Sequence, residues 1–161
     1  MPMPGYFSLV GTKQGNIEGS CEIQNQVGKI LVQGVDHTIE IPRSIQTGLP
    51  TGKRIHMPLM ITKTIDKSSP KLFQALTSGE QLTSAKLEYY MISTGGHEKL
   101  YYTVVLKHAI ITSIRKYFPT ALDSNNKNIG HMEEVSFTYS VIIETWTPDG
   151  IEAQDSFYNP K

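Results

Sequence analysis

Apolar and polar residues alternate with period two along most of this chain, the pattern that puts every second side chain on one face of a β-strand. Between residues 133 and 146, Val135, Phe137, Tyr139, Val141 and Ile143 fall on one face, opposite Glu134, Ser136, Thr138 and Ser140. Residues 54–65 repeat the pattern with Ile55, Met57, Leu59 and Ile61, and residues 99–107 with Leu100, Tyr102, Val104 and Leu106. Faces of this kind belong to a sheet that is dry on one side and wet on the other. Shorter runs at 6–10, 29–33, 35–41, 85–92 and 108–114 bring the total to about eight strands, separated by turn chemistry such as Thr94-Gly95-Gly96. Strands so closely spaced predict a mainly β fold, a two-sheet antiparallel sandwich or a barrel.

One short α-helix is expected to interrupt the strands, over residues 70–78. Ser69 suits the N-cap, Pro70 the first helical position, where its missing N–H would be unpaired anyway, and Gly79 a left-handed C-terminal cap. Leu72, Phe73 and Leu76 then share one face, and a helix this short can plug or cover one open end of a barrel. Two stretches read as irregular. Residues 42–53 hold two prolines and two glycines and exceed a simple hairpin connection, and long ordered loops often carry function. Residues 119–130, rich in Asn, Asp, Ser and Lys, read as a solvated, mobile surface loop. No repeat, linker or second domain interrupts the pattern, so residues 1–161 are expected to form one domain that ends in a tail over 147–161.

Composition narrows the classes of function. A chain of 161 residues can bury about 70% of its unfolded surface, enough for a core without staples. Fifteen basic side chains balance fifteen acidic ones, whereas a nucleic-acid partner is normally held by a clustered excess of Lys and Arg. Cys21 is the single cysteine, so no internal disulfide can form, and folding in a reducing cytosol fits. The start of the chain has neither the basic residues nor the apolar run of a cleavable signal peptide, and no stretch is long enough to span a bilayer. Direct membrane insertion is therefore not expected, and export would use a route that reads the folded form.

Catalytic motifs fail on inspection. Thr47-Gly48-Leu49-Pro50-Thr51-Gly52-Lys53-Arg54 nearly spells a phosphate loop, but Thr47 replaces its first glycine and Arg54 its magnesium-binding hydroxyl. Histidines 37, 56, 97, 108 and 131 never stand at metal-ligand spacing with each other or with Cys21. Asp36-His37 and Glu133-Glu134 are neighbours in strands, so their side chains point to opposite faces and do not form working pairs. A triad assembled from distant positions would leave no such trace. The aromatic residues Tyr89, Tyr90, Tyr101, Tyr102, Phe137 and Tyr139 lack interleaved basic residues, so core or interface packing outweighs base stacking. No enzyme activity, metal or cofactor is expected.

Three segments in the middle of the chain carry a resemblance. These are Thr51-Gly52-Lys53-Arg54-Ile55-His56-Met57-Pro58-Leu59, Ile65-Asp66-Lys67-Ser68-Ser69-Pro70-Lys71-Leu72 and Ser78-Gly79-Glu80. Their order and spacing resemble the Hcp family, the tube proteins of bacterial type VI secretion systems. The likeness begins at Met1-Pro2 and the Tyr6 strand and continues through His37, Ile41-Pro42 and Thr47-Gly48. It returns in Glu133, Val135, Tyr139, Thr145-Trp146, Asp149-Gly150 and Asp155-Ser156, and departs at Phe157, where the family pattern has tryptophan. The resemblance implies a β-barrel of two sheets with one helix. It implies six copies closing into a ring, and rings stacking into a tube like that of a contractile phage tail. Partners would be effector proteins in the lumen and the spike and sheath of the machine, with rings cytoplasmic before firing and then secreted. No toxic enzyme fused behind the tube domain is expected. Residues 42–53 resemble the extended loop through which family members touch the adjacent ring, which makes Arg43, Ser44, Ile45, Gln46, Thr47, Gly48, Leu49, Pro50 and Lys53 candidate ring-stacking residues.

The rival reading is a monomeric β-sandwich that binds a ligand such as a carbohydrate, with exposed Trp146 or the tyrosines as stacking platforms.

Overall fold

The computed structural model describes residues 3–157, so Met1-Pro2 and the last four residues of the tail lie outside it. The described strands are β1 (Gly5–Gly11), β2 (Gly15–Ile17), β3 (Ile30–Val32), β4 (Gly34–Asp36), β5 (Ile39–Glu40), β6 (Ile55–His56) and β7 (Leu59–Thr64). The helix α1 (Ser69–Ser78) follows, then β8 (Gln81–Ile92), β9 (Glu98–Lys107), β10 (Ala109–Tyr117), β11 (Met132–Thr138), β12 (Val141–Trp146) and β13 (Ile151–Ser156). All their pairings are antiparallel.

The long strand β8 organises the sheet. It pairs β1 along one edge, and along the other β9 and, at Gln81 and Leu82, β10. From β10 the ladder passes through β11 and β7 to β4, and from β1 it passes to β3. Strands β3 and β4 are one extended run broken at Gln33, whose N–H donates to the Thr62 carbonyl at 2.8 Å. The sheet therefore curls until its two ends meet, and β9 carries β12 and β13 as a wing. This is the expected mainly β, barrel-like antiparallel fold with one helix. Its core holds Phe7, Leu9, Ile30, Ile61, Leu82, Leu87 and Phe137, each at most 2% exposed. Phe7 and Phe137 meet edge to face at 5.2 Å. Each such side chain is worth roughly 1.5–3 kcal/mol on burial.

Two of the long alternating runs are interrupted, and in each the face changes. The run over 133–146 is two strands. After Tyr139 and Ser140 the chain leaves β10 and β7 for β9 and β13, with the Ser140 N–H bonded to the Lys107 carbonyl. Beyond that corner Ile142 is buried, and Val141 and Ile143 are not, because a one-residue change of phase flips every side chain. In residues 54–65, Pro58 separates β6 from β7. Leu59 and Ile61 are inside, Ile55 and Met57 are exposed, and His56 takes the inward position. The expected tail over 147–161 contains a further strand, β13, paired along the whole of β12.

The helix is where its punctuation placed it, with different roles for its ends and face. It begins at Ser69, so the capping position is Ser68, which makes no side-chain capping bond. Gly79 is left-handed at φ 65°, as expected, and its N–H returns to the last turn. Leu72 and Ala75 enter the core, whereas Phe73 is 54% exposed and packs under the Lys116 ammonium.

Ser69 works elsewhere. Its hydroxyl donates to Glu133 Oε1 at 2.8 Å and accepts the Asp66 N–H. Lys63 Nζ lies 2.5 Å from Glu133 Oε1 and 3.0 Å from Asp66 Oδ1, with both Lys63 and Glu133 fully buried. Burial pushes the Asp66 carboxyl up, but the Ser68 hydroxyl, the Lys63 ammonium and the Ser20 N–H outweigh it and hold it below the ordinary range. Lys63 follows Leu59 and Ile61 on the inward face of β7 and stands opposite Glu133 on β11. This ion pair fastens the helix entrance to the barrel wall.

Candidate assembly arm and its buried anchor

Residues 42–53 continue a β-arm that begins where β5 pairs β6, Ile39 opposite His56 and Glu40 opposite Ile55. Further out, Arg43 bridges Pro50, the Thr51 N–H donates to the Pro42 carbonyl at 2.8 Å, and the Ser44 N–H donates to the Leu49 carbonyl at 2.9 Å. At the tip the Gly48 N–H returns to the Ser44 carbonyl, and Gly48 has φ 71°, which glycine tolerates without a Cβ penalty. These bonds tie the two sides of the arm together. Its side chains have little to pack on: Ile45 is 101% exposed and Leu49 65%. All nine candidate stacking residues lie on this arm, eight of them at or beyond the Arg43 to Pro50 bridge and Lys53 on the returning side.

The root of the arm is held from inside the protein. Tyr139, 4% exposed at the corner between β11 and β12, places its hydroxyl 2.7 Å from His56 Nδ1 and 2.9 Å from His37 Nε2. His56 Nε2 in turn lies 2.7 Å from Asp155 Oδ2 on β13, and the Arg54 guanidinium forks onto both oxygens of the same carboxylate. The Phe157 ring stands edge-on to His56 at 5.9 Å. With both imidazoles neutral, one assignment of protons satisfies the chain of bonds. His37 Nε2–H donates to Tyr139, the Tyr139 O–H donates to His56 Nδ1, and His56 Nε2–H donates to Asp155.

Burial lowers the His37 pKa, with Glu144 opposing the effect and His56 adding to it. The hydrogen bonds from Arg54, with His56 adding to them, hold Asp155 down at about 2. Burial raises the Tyr139 phenol well above its ordinary value, so its proton stays in place and the group serves as a bridge. The chain of bonds positions the arm.

His37 and His56 do not stand at metal-ligand spacing in the sequence, yet the fold brings them round one hydroxyl. A usable signal was present: the two histidines bracket the arm, and pairing of its two sides must bring them near each other. Asp36, by contrast, is exposed, and Glu134 meets Arg115 outside while Glu133 is buried, as neighbours on a strand should be. Phe137 and Tyr139 belong to the core, and Tyr89, Tyr90, Tyr101 and Tyr102 are half-buried on β8 and β9. Trp146 is 38% exposed, packs edge-on against Tyr101 at 5.8 Å and donates its indole N–H to Asp149.

Residues 6–146 match the family described as type VI secretion system effector, Hcp. This chain belongs to the Hcp family. It is 41% identical to the major exported protein of Pseudomonas aeruginosa, with 99% of this chain and 98% of that one covered. Among solved structures, one crystal structure of an Hcp protein matches with a TM-score of 0.89 at 29% identity, covering 96% of this chain and 97% of that one. The secreted protein Hcp3 of Pseudomonas aeruginosa matches with a TM-score of 0.78 at 36% identity, over 95% and 97% of the two chains. Its place among Hcp proteins gives the arm and its anchor a context in type VI secretion.

Proposed function

We propose that this chain is a tube subunit of a type VI secretion machine, closing with five identical copies into a hollow ring, stacking ring on ring, and sheltering effector proteins on the way out. The observation that carries the reading is the arm over residues 39–56: its two sides are cross-bonded from root to tip, its tip presents Ile45 and Leu49 to solvent, and its root is locked into the core. An apolar side chain held out on a rigid support suits a contact with another chain. The outer edge of β13 has no strand partner among the described residues, and such edges accept neighbours. Head-to-tail contacts between unlike patches close into rings when the rotation fits.

The secreted and exported relatives support export, with rings assembled in the cytoplasm and spike and sheath proteins as the partners of the moving tube. The function is passive transport, and the chain carries it out as one domain.

Negative-stain electron microscopy tests the ring. Particles with a central hole are expected, and solid monomers at every concentration would sink the reading. Replacing Gln46 to Pro50 by a Gly-Ser linker tests the arm: single rings should persist while tubes and secretion are lost.

A further inference from the structure

Glu144 on β12 stands opposite Val104 on β9 and lines a cavity of about 460 Å³ together with Val104, Leu59, Tyr89, Tyr102 and His37. The cavity has the size of an ordinary small-ligand site, and its lining of apolar and aromatic groups with a few polar ones is that of a binding pocket. Its one carboxylate is short of partners. Glu144 Oε2 accepts the Tyr102 O–H at 2.9 Å, and no ion pair among the described residues reaches it. The surrounding groups register this negative charge. Burial, and after it Glu144, pushes the Tyr102 phenol up to about 12 and raises those of Tyr89 and Tyr139.

A half-buried carboxylate with one hydrogen-bond partner among aliphatic and aromatic side chains is better stabilised when a counter-charge joins it. Aromatic walls favour the same sign of guest, because the faces of tyrosine rings attract cations. We propose that this cavity binds an organic cation, the ammonium or guanidinium end of a basic side chain from a second copy of this chain or a free amine of the same chemistry. Glu144 would take the charge, Tyr89 and Tyr102 would flank it, and Leu59 and Val104 would cover the methylene stem. Tyr102 has the further role of fixing the carboxylate's orientation. This inference does not depend on the tube reading.

The test is a titration of the full chain with Nα-acetyl-arginine amide, Nα-acetyl-lysine amide and the uncharged Nα-acetyl-citrulline amide, followed through the tyrosine ring signals, with particle size measured alongside. The cationic probes should saturate and shift Tyr89 and Tyr102, and the citrulline probe should bind about tenfold more weakly or worse, the usual worth of a charge-assisted hydrogen bond. Glu144→Gln should abolish that difference. A fall in particle size with the probes, or weaker assembly of Glu144→Gln, identifies a second copy as the natural donor; unchanged size with saturable binding identifies a free amine. Equal binding of the citrulline probe overturns the proposal, and this arm needs no variant to fold. So does cation binding undiminished in Glu144→Gln, or an absence of saturable binding combined with unaltered assembly of that variant.

Discussion

His56 Nε2 lies 2.7 Å from Asp155 Oδ2 across 99 residues of sequence, and this bond joins the root of the arm to the C-terminal strand. Because β13 pairs β12, and Tyr139 at the head of β12 holds the other nitrogen of His56, the arm, the corner and the tail form one mechanical unit. A disturbance at any of the three should reach the other two.

Tyr139→Phe removes the hydroxyl and keeps the ring. Both histidines then lose a partner inside the protein, and stability should fall by about 1–3 kcal/mol, the usual penalty for stranding buried polar groups. Urea unfolding of the variant beside the native chain measures it. Hydrogen exchange should also quicken at the Met57 N–H, which closes the root of the arm on the Thr38 carbonyl.

Lys63 and Glu133 are both fully buried, so removing one leaves an unpaired charge in the core. Lys63→Met alone should cost about 3–5 kcal/mol, while Lys63→Met combined with Glu133→Leu should recover much of the loss. Denaturant midpoints of the two variants distinguish a pair retained for its own stability from one retained for specificity.

Acid should loosen the anchor in two stages. The folded pKa of His37 is below its ordinary 6.5, so its contribution is complete above that value and erodes as pH falls below it, when the unfolded chain takes up a proton more readily. Asp155, lowered from 3.8 to about 2, contributes fully above 3.8 and loses its contribution as pH falls toward 2. A stability profile against pH should show both stages, with His37→Gln flattening the first and Asp155→Asn the second.

Gly19 leaves no room for a methyl group. A Cβ there would stand 2.4 Å from the Lys29 carbonyl oxygen and 2.6 Å from the Ile30 Cα, both backbone atoms that cannot swing aside. Gly19→Ala should therefore lower the melting temperature, whereas Gly130→Ala, where a Cβ meets nothing within 4 Å, should leave it nearly unchanged.

The mainly β character, the longer strands and the helix were legible in the sequence because alternation and capping are local, whereas the short β2 and the tail strand β13 were not. Period-two runs with Val, Ile and aromatic residues have one economical conformation, and Pro70 and Gly79 mark a helix whatever lies around it. The Hcp resemblance was legible for a related reason, since it rests on short motifs, each local, in a fixed order along the chain. Pairing between distant segments left no comparable mark. That His37 and His56 share one hydroxyl, that Lys63 occupies a core position because Glu133 faces it, and that Ile142 replaces Val141 and Ile143 inside were decided by the curl of the sheet. Buried polar groups need partners, and for the Lys63–Glu133 pair and the chain of bonds from His37 through Tyr139 and His56 to Asp155 those partners come from segments 70 to 102 residues away.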